Sequence, residues 1–402
     1  FNAKLCIMNM AVHGLNAKII SGDEANSFYH DAHNLDGSCD YVMANPPFNV
    51  DKVKAESTQN AGRLPFGLPG VNPKKEISNA NYLWISYFYS YLNDTGRAGF
   101  VMPASATDSG NRDREIRKQL IQTGNVDCMI SVANNFFYKV TLPCSLWFFD
   151  KGKKEELKDK VLFIDARNYY TKKKKKLNEW SEWQMKNLNA IVWLHRGEIE
   201  KYKKLLSDYS SQIITDCKGL DAEFENLSVL FNGYNDKLEP LRTQISDIAQ
   251  TVNDVNQLLP LNELLKRYTT ELNASVKAFN EYGAGLEKAE AKEFAKSFEK
   301  SAVTWDRFKK SIFVRTEEIV SQVKACRAVI KQVKWLTEKF GEGIYADVPG
   351  LCKVATMREM EEKNWSLTPG AYVGIAPIKE SDENFEERMA EIHKELLTLQ
   401  SE

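Results

Sequence analysis

Between residues 17 and 167, short apolar runs alternate with segments of helical periodicity, and this alternation restricts the fold more than any other feature of the chain. "AKIISGD" (17–23), "CDYVMANP" (39–46), "GRAGFVMP" (96–103), "VDCMISV" (126–132), "CSLWFFDK" (144–151) and "VLFIDAR" (161–167) read as strands. "NANYLWISYFYSYLND" (79–94) and a segment within 111–123 read as helices. Such alternation predicts an α/β sheet with helices on both faces. Ligands of such sheets bind beyond the carboxyl ends of the strands.

The length of 402 residues suggests two or three domains of ~150 residues each. A hydrophobic content of 43% is ample for a packed core, while a net charge of −1 neither supports nor excludes a nucleic-acid partner. Seven dispersed cysteines without a CxxC pair argue for reduced thiols in a cytoplasmic protein, against a disulfide framework or zinc site. The longest strongly apolar stretch, "YLWISYFYSYL" (82–92), is too short to cross a bilayer, so no membrane partner is expected. No signal peptide is visible. Phe1, Leu5, Met8, Val12 and Leu15 fall at helical spacing with Gly14 near the end, so the chain reads as a fragment that opens within a helix.

The strand signals stop after residue 167. "YTKKKKKLNEW" (170–180) carries five successive lysines, Lys172 to Lys176, which repel one another and favour an exposed loop. A solvated connector is the plainer reading of this run, and contact with DNA phosphates the sharper one. From about 199 to 340 only helical patterns remain. Leu241, Ile245, Ile248, Val252, Val255 and Leu259 form one seam ended by Pro260; Leu265, Tyr268, Leu272, Val276 and Phe279 form a second. Phe294, Phe298, Trp305, Phe308, Ile312, Ile319, Val323 and Val333 mark a third, long helix. These seams predict antiparallel helical hairpins or a coiled coil. After the turn-rich "WSLTPGAYVGI" (365–375), Phe385, Met389, Ile392, Leu396 and Leu399 line one face of a terminal helix, a candidate docking element.

The run Tyr41–Ala44 ends in Asn45-Pro46-Pro47-Phe48. Neither proline nitrogen carries a hydrogen, so this backbone offers carbonyl acceptors and few competing donors, and the rings stiffen the turn. The asparagine side chain adds another acceptor oxygen. Two fixed acceptors beside an aromatic plate suit a planar group bearing an NH2. Hydrogen bonds that pull on both N–H groups favour a more tetrahedral, electron-rich nitrogen, able to attack an electrophilic methyl group in line. An adenine in duplex DNA reaches such a pocket only when flipped out, at a cost of a few kcal/mol. The plain structural alternative is a proline turn whose Asn45 merely caps the loop.

"DYVMANPPF" resembles the catalytic motif of amino-group DNA methyltransferases that use S-adenosylmethionine. Over about 1–198 and 344–397 the chain is similar to the modification subunit of type I restriction–modification systems, an N6-adenine DNA methyltransferase. The resemblance runs through "MNMAVHG", "GRAGFVMP", "REIRKQL", "NNFF…TLPCSLWFFDK", "WLHRGE", "YADVPGLCKVATMREM" and "WSLTPGAYVG" in that order. It implies an α/β fold with an incomplete Rossmann-like methyltransferase sheet, a long coiled-coil-like helical insertion and a carboxyl-terminal helix. The corresponding divisions are 1–198, 199–343 and 344–402.

By the same resemblance, Asn45 and Pro46 accept the adenine amino hydrogens, Pro47 completes the rigid turn and Phe48 stacks on the base. Asp23 contacts the adenine end of S-adenosylmethionine, and Phe136 or Phe137 helps wall the target-base pocket. The implied partners are double-stranded DNA and the specificity and restriction subunits of a type I complex. Two departures stand out. In the family, a glycine-rich cofactor loop and a ribose-binding acid precede the segment matching Phe1. The chain is therefore expected to be part of a longer protein, to bind the cofactor poorly alone and to leave an open strand edge beside Asn45. "GDEANS" also lacks the leucine often found two residues after the matching aspartate.

Two other functions fit the residues. A similar turn serves enzymes that methylate glutamine amides in proteins, commonly with tyrosine at the position of Phe48. A non-enzymatic helical interaction protein is the third reading. "HDAH" (30–33) lacks the neighbours that would complete a metal site, and His195 is expected on a helix surface.

Overall fold

A computed structural model of the chain describes residues 1–137, 141–174, 177–231, 235–251, 254–298, 304–376 and 389. Its contacts divide into two compact units: residues 1–133, 142–167 and 347–402 form the first, and 134–141 with 168–346 the second. The strip 168–198 thus groups with the long helices. The stripe expected over 385–399 lies outside the described residues apart from Met389.

The first unit begins with α1 (Asn2–Val12), β1 (Cys39–Ala44), β2 (Val53–Lys54), α2 (Ala55–Asn60) and β3 (Glu76–Ile77). It continues with α3 (Asn81–Tyr91), β4 (Leu92–Pro103), α4 (Asn111–Gln122), β5 (Val126–Val132), β6 (Cys144–Asp150) and β7 (Lys160–Asp165). The second unit holds the hairpin β8 (Thr171–Lys174) and β9 (Leu177–Glu179), then α5 (Glu182–His195), α6 (Ile199–Phe231), α7 (Leu238–Thr251), α8 (Leu261–Ala284), α9 (Lys288–Phe298) and α10 (Trp305–Phe340). The chain then returns to the first unit with β10 (Cys352–Thr356) and α11 (Met357–Glu362).

Six strands form one mixed sheet in the order β1-β4-β6-β5-β7-β10. β1 runs parallel to β4 and β5 parallel to β7, while β6 and β10 are antiparallel to their neighbours. One face carries Ala98, Phe100, Met102, Trp147, Phe149 and Phe163, all buried under α3, α4 and the tail around Trp365 and Tyr372. Gly99, Val101, Leu146 and Phe148 on the opposite face are only half-buried. Further along that same face, Cys128 and Ile130 of β5 and Leu162 and Ile164 of β7 are buried. Gly96 permits the close pairing of β1 with β4, because a Cβ there would meet the Cys39 carbonyl oxygen at 2.6 Å.

Several elements depart from expectation. Residues 17–21 form no strand, and Asp23 begins a single helical turn, Asp23–Ala25. An apolar run becomes a strand only where a neighbour accepts and donates its ladder hydrogen bonds, and Ile19 and Ile20 have no such neighbour among the described residues. β1 is an edge strand with an alternating pattern: Val42 and Ala44 pack against the core, while Tyr41 and Met43 are 79% and 92% exposed. Where a loop was expected, Lys172, Lys173 and Lys174 of the lysine run lie in β8, antiparallel to β9, and Lys173 pairs with Glu179 at 2.8 Å; Lys175 and Lys176 lie outside the described residues.

In the second unit α6 packs against α7 and α10, and α8 against α7 and α10. The first seam does not continue as one helix to Pro260. α7 stops at Thr251, and Asp254 starts a separate turn, Val255–Leu258, by accepting from the Asn256 N–H. Local side-chain capping of this kind competes with helix continuation. The third expected helix is two, α9 and α10, the latter opened by Thr304, whose side chain accepts from the Arg307 N–H. His195 ends α5 half-buried against the Tyr345 ring, not on an open helix surface.

Candidate active site

Asn45-Pro46-Pro47-Phe48 leaves the carboxyl end of β1, beside the parallel strand β4. Asn45 and Pro47 are exposed, Pro46 is buried and Phe48 is half-buried. The Asn45 amide has no hydrogen-bond partner among the described residues, so both its oxygen and its NH2 stand available at the rim. Proline at 46 and 47 fixes φ over the turn, leaving the position of Phe48 to be set by the residues on its carboxyl side.

Asn49, the first of these, lies in the left-handed region with φ 54°. Its N–H donates to Asn81 Oδ1 at 2.9 Å, while its own Oδ1 accepts from Asn81 Nδ2 at 2.9 Å and from Asn79 Nδ2 at 3.1 Å. The next carbonyl, of Val50, accepts the Ala80 N–H at 2.9 Å. Asn81 is 3% exposed and is the first residue of α3. Asn79 Oδ1 accepts the Asn81 N–H at 2.9 Å, satisfying one of the donors a helix start leaves without an intrahelical partner. These three asparagines escaped the reading of the sequence as site residues; the only trace was the "NAN" before the aromatic helix.

Asp23 stands at a different point of the same unit. Its carboxylate is exposed and accepts no hydrogen bond among the described residues. Gly22, Ala25, Asn26, Tyr29 and His30 line an open cleft with it. The segment behind Asp23 is rooted on α3: the Phe28 ring lies 4.4 Å from Trp84, and Tyr87 Oη donates to the Phe28 carbonyl at 2.9 Å. Helix α3 thus anchors both Asp23's segment and the proline turn. The cleft offers one carboxylate able to accept from an exocyclic amine. Among the described residues no second acid lines it, so the cleft offers an acceptor for the adenine end of S-adenosylmethionine and none for its ribose.

Phe136 and Phe137 follow β5 in the chain and belong to the second unit. Phe136 packs against Trp180 at 4.9 Å and edge-on to Tyr170 at 6.0 Å; Phe137 is half-buried. Asn178 ties their loop to the lysine hairpin, donating from its N–H to the Asn135 carbonyl at 2.9 Å and from Nδ2 to that of Asn134 at 2.8 Å.

Asn45 thus presents an unengaged amide on a donor-poor turn at a strand's carboxyl end, three residues before half-buried Phe48. The sequence profile of the N-6 DNA methylase family matches residues 1–212, and the chain belongs to that family. A type I restriction enzyme MjaIX methylase subunit from Methanocaldococcus jannaschii is 38% identical over 186 residues, 46% of this chain and 32% of that protein. A HindI methylase subunit from Haemophilus influenzae is 34% identical over 165 residues, 41% of this chain and 35% of that protein. The chain spans about a third of the length of these two relatives. A solved type I restriction–modification methyltransferase subunit from Streptococcus thermophilus aligns at 24% identity with a TM-score of 0.40, covering 47% of this chain and 39% of that one.

Proposed function

We propose that this chain is the base-positioning part of a type I modification subunit that methylates adenine N6 in double-stranded DNA. The observation that carries this reading is the unengaged Asn45 amide next to half-buried Phe48. Asn45 Oδ1 and the Pro46 carbonyl accept the two amino hydrogens of a flipped adenine, and the Phe48 ring stacks on the purine. Holding both hydrogens draws the nitrogen toward tetrahedral geometry and frees its lone pair. Bound S-adenosylmethionine supplies the electrophilic methyl group, with Asp23 toward its adenine end. The strand order supports a Rossmann-like methyltransferase sheet. The partners on this reading are a specificity and a restriction subunit of a cytoplasmic complex.

The test is product identity. The complete enzyme, given labelled S-adenosylmethionine with duplex DNA or with a glutamine-containing protein substrate, is expected to place label only in N6-methyladenine. Label in glutamine, or in neither substrate, contradicts the proposal.

A further inference from the structure

We infer that Asn49, Asn79 and Asn81 form an amide latch that sets the position of the Asn45–Phe48 turn, and that Asn81 is a positioning residue for methyl transfer. The inference rests on the function proposed above. Its basis is the donor and acceptor logic of the cluster.

Two backbone N–H groups, which can only donate, fix the polarity of the whole network. The Asn49 N–H requires an oxygen from Asn81, so the Asn81 NH2 must face Asn49, whose facing atom must then be oxygen. The Asn81 N–H likewise requires an oxygen from Asn79, which turns the Asn79 NH2 toward that same Asn49 oxygen. Three amides therefore have one mutually consistent arrangement. The latch grips the first non-proline residues after Phe48. Prolines stiffen the turn internally but cannot say where it points, since they donate no hydrogen bonds. The latch supplies that direction by binding Asn49 and Val50 to the start of α3, whose Leu83 and Tyr87 are buried in a second core cluster.

The polarity makes isosteric changes unequal. Asn49→Asp keeps every contact, because position 49 uses only its N–H and one side-chain oxygen, and aspartate tolerates φ near 54°. Asn81→Asp keeps the acceptor for the Asn49 N–H but sets oxygen against oxygen at the other contact. Asn79→Asp keeps the cap on the Asn81 N–H, adds a favourable negative charge at the start of α3, and loses its donor to Asn49. All three changes add one negative charge in one place, so weakened DNA affinity is common to them.

The experiment measures kcat, KM for DNA and thermal midpoint for the three variants of the complete enzyme. Asn81→Asp is expected to lower kcat by about 10²-fold, the scale of a small misplacement of a reacting group. Asn79→Asp is expected to lower kcat by about tenfold with an unchanged or raised thermal midpoint, and Asn49→Asp to hold kcat within about threefold. Should Asn81→Asp fail to fold, Asn79→Asp against Asn49→Asp decides. Equal kcat in those two variants overturns the latch, whether both fall or neither does. Wild-type enzyme that methylates adenine alongside an inactive Asn45→Ala keeps the proposed function standing in that event; absence of adenine methylation in the wild type overturns both.

Discussion

Arg117 donates through Nε to the carbonyl oxygen of Trp365, tying α4 to a segment 248 residues further along the chain. The side chain is 1% exposed, and its Nη1 donates to Tyr82 Oη at 3.0 Å and to the Ser109 carbonyl at 2.8 Å. Tyr82 Oη in turn donates to the Ala106 carbonyl at 2.7 Å. A buried guanidinium is tolerated here because its donors have partners, with Asp108 at 3.8 Å offering a partial counter-charge. The "REIRKQL" and "WSLTPGAYVG" segments are thus two halves of one buried contact. Stacking of Phe163 on Tyr372 at 4.0 Å extends it.

Arg117→Ala should therefore destabilise the first unit by about 3 kcal/mol or more, through a cavity and orphaned buried acceptors. Arg117→Lys should recover little of this, since a single ammonium cannot span the Trp365, Tyr82 and Ser109 acceptors as the planar fork does. Urea unfolding followed by tryptophan fluorescence, to which Trp147 buried in this unit contributes, measures both. Wild-type stability in either variant contradicts the hub.

Burial pushes the Asp113 carboxyl up to about 6, against opposing pulls from Arg117 and the Gly70 N–H. The folded state then holds this proton more tightly than the unfolded chain. Its contribution to stability is fully present below the ordinary pKa of 3.8 and is lost as the pH rises through about 6. Asp113→Asn removes that loss and keeps an acceptor for Gly70. The variant should melt higher than wild type at pH 7.5 and show no advantage at pH 4. A wild-type-minus-variant difference that is flat from pH 4 to 7 contradicts the assignment.

The outer edge of β1 pairs with no strand among the described residues, and it carries exposed Tyr41 and Met43. An exposed, apolar edge is a template for pairing with another chain. Met43→Lys should reduce self-association of the 402-residue chain while leaving its melting temperature nearly unchanged. Light scattering against concentration reads the effect, and undiminished aggregation counts against the edge as its source.

Elements bounded by turns and closed by local signals were legible from residue order. The segments 126–132 and 144–151 became β5 and β6 with bounds agreeing within a residue, and the helix within 111–123 became α4. The β1 strand and its proline turn were legible for the same reason. What needed a distant partner was not. Ile19 and Ile20 looked like strand residues, but periodicity carries no information about whether a neighbour is present to pair with them. β10 was missed although Thr356 and Glu359 form a capping box for α11, a signal written as T-x-x-E in the sequence. The Asn49–Asn81 pair was invisible because 32 residues separate its halves.

The central claim is that the Asn45 amide oxygen receives an adenine amino hydrogen. Single-turnover methyl transfer to duplex DNA by the complete enzyme tests it most directly, comparing wild type with Asn45→Ala and Asn45→Asp at saturating DNA. Asn45→Ala is expected to slow the chemical step by about 10²–10³-fold, while Asn45→Asp, which retains an acceptor, keeps a larger share of the rate. Transfer by Asn45→Ala at the wild-type rate would contradict it.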